Sequence, residues 1–121
     1  MSDDIDVLLE TSDRLLREAL PGTRGVWPRV VAFAVRAALE LALDDFWARV
    51  EPDVAASPMR SKLLLLEAYA DGPIPRSASE LWHELSRATH HHAYDLAPTA
   101  PELRSWYGEV VELRRLLAVA A

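Results

Sequence analysis

Cysteine is absent from the 121 residues, which excludes disulfides, thiolate metal sites and a thiol nucleophile together and suits a reducing interior. Asparagine and glutamine are also missing, and Lys62 is the only lysine, while Arg, Ala, Leu and Val abound, a usage that suggests a GC-rich bacterial genome. The glycines, Gly22, Gly25, Gly72 and Gly108, form neither a phosphate-cradling loop nor a dinucleotide fingerprint, and there is no G-x-S-x-G. No cofactor is therefore expected. Positive charge is scarce: 13 Lys and Arg against 19 Asp and Glu leave a net charge of -6. No whole-protein field would draw in a nucleic acid, so no DNA partner is expected and any RNA contact has to be local. Long apolar runs are lacking too. The longest, Val30 to Leu43, is broken by Arg36 and Glu40, short of the roughly 20 residues a membrane span needs. Asp3, Asp4 and Asp6 stand where a secretory leader would carry basic and then apolar residues, so a cytoplasmic protein without a membrane partner is expected.

What is present is a globular balance, 50% hydrophobic and 26% charged, in a length that supports one core, so residues 1–121 are read as a single domain. Its apolar residues repeat with the helical period. Ser2 as a cap, with Asp3 and Asp4 at the positive end, opens a first helix through Ile5, Leu8, Leu9, Ser12, Leu15, Leu16 and Ala19, ended by Pro21-Gly22. A second helix, Pro28 to Val50, is apolar nearly all round and so central, with one narrow polar stripe of Arg36, Glu40 and Asp44. That stripe faces either solvent or a dimer partner. Glu51-Pro52 stops the helix, and Ser57-Pro58 starts a third that reaches about Ala70. Ser77 and Glu80 have capping-box spacing for a fourth helix through Leu81, Trp82, Leu85 and Ala88, and Thr99 with Glu102 repeats the spacing before a final helix through Leu103, Trp106, Val110, Leu113 and Leu117. The fold class expected is all-α, an antiparallel bundle of four to five helices. Trp27, Trp47, Trp82 and Trp106 lie on or near apolar faces and are expected as core or interface anchors rather than base-stacking platforms.

The chemically distinctive residues gather in one stretch, Ser86 to Asp95, reading SRATHHHAYD. At about 100° per residue, His83, Arg87 and His91 share one helix face while His92 turns toward the side of Leu85 and Ala88. No metal site is expected: His83 and His91 are about 12 Å apart along the axis, and neither a His-x3-His pair nor HExxH occurs. Structural roles are open to these residues as well. His90 and His91 would meet the carbonyls and negative dipole end of a last helical turn, and Arg87 could pair with Glu80 or Glu84.

Arg87, His92 and Tyr94 are spaced R-x4-H-x-Y, and the second helix carries the run Arg36-Ala37-Ala38-Leu39-Glu40. Both features, in an all-helical frame, resemble HEPN-domain proteins over most of the chain. The resemblance implies a HEPN-like helical bundle that forms a homodimer and, in many members, a metal-independent endoribonuclease of toxin, RNA-processing or defence type. Within such a site His92 would act as acid or base at the ribose 2′-hydroxyl or the leaving oxygen. Arg87 would hold the phosphate, Tyr94 would contact it, and His90 and His91 could help bind RNA. In toxin-type relatives a nucleotidyltransferase antitoxin modifies the matching tyrosine, which makes Tyr94 a candidate regulatory position. Ala88 stands where nuclease members commonly have a polar residue, so a catalytically inactive interaction module, binding a protein or nucleotide partner, is the alternative. Arg87 and His92 are about 140° apart on one ideal helix, so sharing a phosphate requires an unwound helix end or two subunits.

Overall fold

Proline and glycine set the helix limits in the structure, a computed structural model that describes residues 2–18, 27–90 and 97–120. The helices are α1 (Ser2–Glu18), α2 (Trp27–Val50), α3 (Pro52–Ala55), α4 (Met59–Tyr69), α5 (Ile74–Thr89) and α6 (Ala100–Val119), with no strand among the described residues. Glu51 is extended, at φ -154° and ψ 87°, as a residue before proline tends to be, and this separates α2 from the single turn of α3. Gly72 takes φ 66° between α4 and α5, a left-handed conformation that a Cβ would strain.

The bundle is all-α, as its apolar periodicity requires, with one short helix more than expected because Pro52 can start a turn as well as end one. Two boundaries also differ. Pro58, not Ser57, is the N-cap of α4, and α5 begins at Ile74 behind Pro73, which leaves Ser77 inside the helix. Glu80, freed from a capping role, pairs with Arg76 at 2.9 Å. The Thr99–Glu102 capping box is formed reciprocally, as its spacing implies.

Helix α2 packs against each of the other five. Buried Val31, Val35, Leu39, Leu43, Phe46 and Trp47 make it the axis of the core, joined by Ile5 and Leu16 of α1, Leu81 and Leu85 of α5, and Leu103, Val110 and Leu117 of α6. Ser12 enters this core without an unpaired hydroxyl because it donates to the Leu8 carbonyl at 2.8 Å. Side-chain contacts give the directions. On α5, Trp82, Thr89 and the Ala88 carbonyl meet Glu40, Arg36 and Arg29 in turn, so α5 runs antiparallel to α2. Arg49 at the far end of α2 donates to the Ala120 and Leu117 carbonyls at 2.8 and 2.6 Å, so α6 runs parallel to α2. Helices α1, α2, α5 and α6 thus alternate in direction, with α2 and α6 touching across the diagonal. None of the described helices is long and apolar enough to cross a membrane.

Trp47 is fully buried edge-on to Phe46 and Tyr69, with ring centroids 5.1 and 5.0 Å away, and its indole N–H meets no partner among the described residues. The ring therefore contributes by volume and contact rather than by a hydrogen bond. Urea denaturation is expected to show Trp47→Ala losing about 3–5 kcal/mol, whereas Trp47→Phe loses less than half as much. Equal losses would mean that the indole nitrogen matters.

Candidate functional site

Each member of the polar stripe of α2 is half-buried and engaged by a helix of the same chain. Arg36 donates from Nη1 to the Thr89 hydroxyl at 3.0 Å, and its Nε lies 3.5 Å from Glu40 Oε2, close enough for an ion pair but poorly aimed for a hydrogen bond. Glu40 accepts the Trp82 indole N–H at 3.3 Å, and the Arg36 guanidinium lies over the same indole, 5.5 Å from its centroid. Asp44 accepts from Lys62, itself only 7% exposed, at 2.7 Å. Thr89, equally buried, also donates to the Ser86 carbonyl at 2.9 Å. Two turns before Arg36, Arg29 donates to the carbonyls of Ala88 and His90 at 3.2 and 3.1 Å.

These bonds converge on the last turn of α5, where the carbonyls of any helix lack internal partners and carry its negative dipole end. A helix terminus is usually a frayed place. Here its inward side is held by two arginines from the core helix. His90 is the C-cap residue, with an extended backbone at φ -72° and ψ 130° and its N–H donating to the Ser86 carbonyl. The guanidinium of Arg29 and the hydroxyl of Thr89 both meet carbonyls of this turn. Arg29 and Thr89 escaped the reading of the sequence. Their signal was there in part: Trp82 and Thr89 are seven residues apart, two helical turns, on the side of Leu85.

Arg87 lies on the opposite, exposed side of this turn, about 200° from Thr89. It does not form the ion pair suggested with Glu80 or Glu84, because Glu80 is held by Arg76 and Glu84 accepts the Trp106 indole N–H at 2.6 Å. Arg87 instead borders an open depression of about 330 Å3 with Ser79, Glu80, His83 and Glu84. The Glu102 carboxyl of α6 is held below its ordinary value by its hydrogen bonds from Thr99, with a smaller contribution from the charge of Arg87. Of the other residues singled out, His90 is exposed beside Arg87, while His91, His92 and Tyr94 lie outside the described residues. Among the described residues no three His, Cys, Asp or Glu side chains gather as a ligand set. Trp47 and Trp106 are buried, as expected of core anchors, and Trp27 and Trp82 are half-buried.

An apolar patch adjoins the pinned helix end. Phe33, 55% exposed, is four residues after Arg29 and three before Arg36, so it neighbours both on the α2 surface, and Val30 beside it is 44% exposed. No family model, curated protein or solved structure matches the chain.

Removing the Arg29 side chain strips a charged donor from two carbonyls. Hydrogen–deuterium exchange is expected to show Arg29→Ala accelerating amides near Thr89 and His90, with a loss of about 1.5–3 kcal/mol in global stability. Unchanged exchange there would mean that the helix end needs no such pin. Glu109, on the α6 side of Glu84, supplies a pH test. Its carboxyl is pushed up by burial, then by the charges of Glu84 and Glu80, against a smaller opposing effect of a Ser105 hydrogen bond. A raised folded value means that the folded state holds this proton to higher pH than the unfolded chain. The ionised group therefore costs stability once pH exceeds the folded value, and the cost disappears below the unfolded value of about 4.3. Thermal melts of Glu109→Gln should show a small gain in Tm at neutral pH that vanishes in acid, small because the side chain remains largely in water.

Proposed function

We propose that the chain is a HEPN-like, metal-independent endoribonuclease that works as a homodimer, with Arg87 and His92 at its centre and Tyr94 supporting them. The observation that carries the reading is the R-x4-H-x-Y spacing starting in the last turn of α5, a turn whose inner side is tied to α2. Arg36 and Glu40, which form the run resembling the HEPN second helix, take part in that tie. The exposed Phe33 and Val30 support a dimer axis close by, because an apolar pair next to Arg29 and Arg36 would set two copies of the helix end side by side. Such an arrangement offers two Arg87 guanidinium groups to one RNA and offsets the net charge of -6 locally.

In this mechanism Arg87 grips the scissile phosphate through its planar fork and stabilises charge that develops on the phosphoryl oxygens. His92 takes the proton of the ribose 2′-hydroxyl, whose oxygen attacks the neighbouring phosphorus as the 5′-oxygen departs, or supplies a proton to that leaving oxygen. Tyr94 adds a hydroxyl contact to the phosphate and is the position a nucleotidyltransferase antitoxin would modify. His90 and His91 extend the RNA-binding surface.

Ala88 favours a second reading, a catalytically silent HEPN-type dimer that binds a protein or nucleotide partner, because its methyl group supplies neither charge nor a hydrogen bond. Cleavage of a mixed RNA pool in EDTA separates the two. The nuclease reading expects cutting by the wild type and a fall of about 10²-fold or more in both Arg87→Ala and His92→Ala. Light scattering should report a dimer that Phe33→Glu disperses. A wild type that leaves every RNA intact while remaining dimeric would sustain the silent module, and variants that cut as well as the wild type would remove Arg87 and His92 from the site.

A further inference from the structure

Helices α4 and α5 form a hairpin, and on its outer side lies a groove of about 790 Å3, the size range of small-ligand sites. Its apolar lining is Leu63, Leu64, Pro75 and Trp82. Leu64 is 68% exposed, an apolar side chain left in water on a helix that buries Leu63 and Leu66. Trp82 is held before any ligand arrives. Glu40 accepts its indole N–H, Arg36 covers one side of the ring, and His83 stands edge-on with its centroid 5.5 Å away. Arg36 itself does not line the groove. The groove thus joins a held aromatic ring and an exposed leucine in one lining, a combination suited to a flat ring.

Charge at the rim is divided along the hairpin. Arg76 and Glu80 neutralise each other at 2.9 Å. Glu67 lies toward the turn, whereas Arg60, seven residues and about 10 Å earlier on α4, lies at the other end with Trp82 and His83. Arg60 pairs with no described carboxylate, so that end offers a guanidinium and an imidazole to an anion. A partner helix would need a longer apolar strip than these four residues provide, with Arg60, Glu67, Arg76 and Glu80 all at the rim.

We infer that the α4–α5 groove binds a nucleotide, its base between Trp82 and Leu64 and its phosphate at Arg60 and His83. Arg87 does not line this groove, and the inference does not rest on the nuclease reading. The groove nonetheless shares Ser79, Glu80 and His83 with the depression that Arg87 borders, so one strand could occupy both.

Proton–nitrogen NMR of the full-length protein tests this, with the four indole N–H signals as reporters and Trp82→Phe assigning one of them. Titration with millimolar adenosine 5′-monophosphate should move the Trp82 signal most, and adenosine or inorganic phosphate alone should move it less. Arg60→Ala and Leu64→Asp, at exposed positions and checked for fold by circular dichroism, should each weaken the response about tenfold or more, while Arg87→Ala should preserve it. A single-stranded adenylate hexamer distinguishes the sources. Tighter binding of the hexamer assigns the groove to an RNA strand, and equal binding assigns it to a free nucleotide. The inference is overturned if the Trp82 signal stays still with both probes, if the two groove variants respond like the wild type, or if Arg87→Ala abolishes the shift. RNA cleavage measured on the same proteins keeps the two readings apart: cutting without an indole shift removes the groove alone, and a shift without cutting removes the nuclease alone.

Discussion

A helix that packs against five others can turn only part of its surface to water, and that constraint on α2 organises the rest of the molecule. Its interior positions are met by apolar residues, from Val31 to Trp47. Its half-buried polar side chains find partners on neighbouring helices, because a polar group taken from water without a hydrogen bond costs more than the bond itself contributes. Arg36, Glu40 and Asp44 therefore fix the positions of Thr89, Trp82 and Lys62 as much as those residues satisfy them. The two arginines near the ends of the helix extend the same logic to backbone groups. Arg29 meets the carbonyl end of α5, and Arg49 meets that of α6. In this way one helix sets the positions at which two others finish.

That arrangement divides α5 into two sides with different duties. The inner side, with Leu81, Leu85 and Thr89, is held by packing and by the seam on α2. The outer side carries His83 and Arg87 into open depressions, where Glu80 and Glu84 are bonded to Arg76 and Trp106 and leave Arg87 without an ion pair to either. A rigid scaffold with chemically capable groups on one free face is the usual architecture of a binding or catalytic surface. The abundance of acid in the chain does not oppose this locally. Arg29, Arg36 and Arg87 all lie around the same helix end, and acidic residues near it, such as Glu40 and Glu102, are occupied by hydrogen bonds.

The helical class, the central place of the second helix and the capping box at Thr99 were all legible in the sequence, because each depends on residues close together in the chain. A period of 3.6 or a Ser/Thr-x-x-Glu spacing is local information, and so is the block to helix continuation at Glu51-Pro52. The failures were also local. Ser77 and Glu80 have the same spacing as Thr99 and Glu102, but the turn at Gly72 and Pro73 lets the helix start earlier, so Glu80 bonds to Arg76 instead. Periodicity marks which face of a helix is polar without saying what covers it. For that reason the stripe of α2 could be read as solvent-facing or as an interface, while its bonds to α4 and α5 were not legible.

By itself the sequence determined that this chain is a helical bundle built around one apolar helix, and that its unusual ionisable groups cluster where the fourth major amphipathic segment gives out. Only the tertiary structure decided which of those groups are occupied. Arg36 and Thr89 are separated by 53 residues and Arg29 and His90 by 61, so no spacing rule could join them. Their pairing follows from antiparallel packing, which brings the start of α2 beside the end of α5. It leaves Arg87 on the outward face, where its charge is available to a ligand.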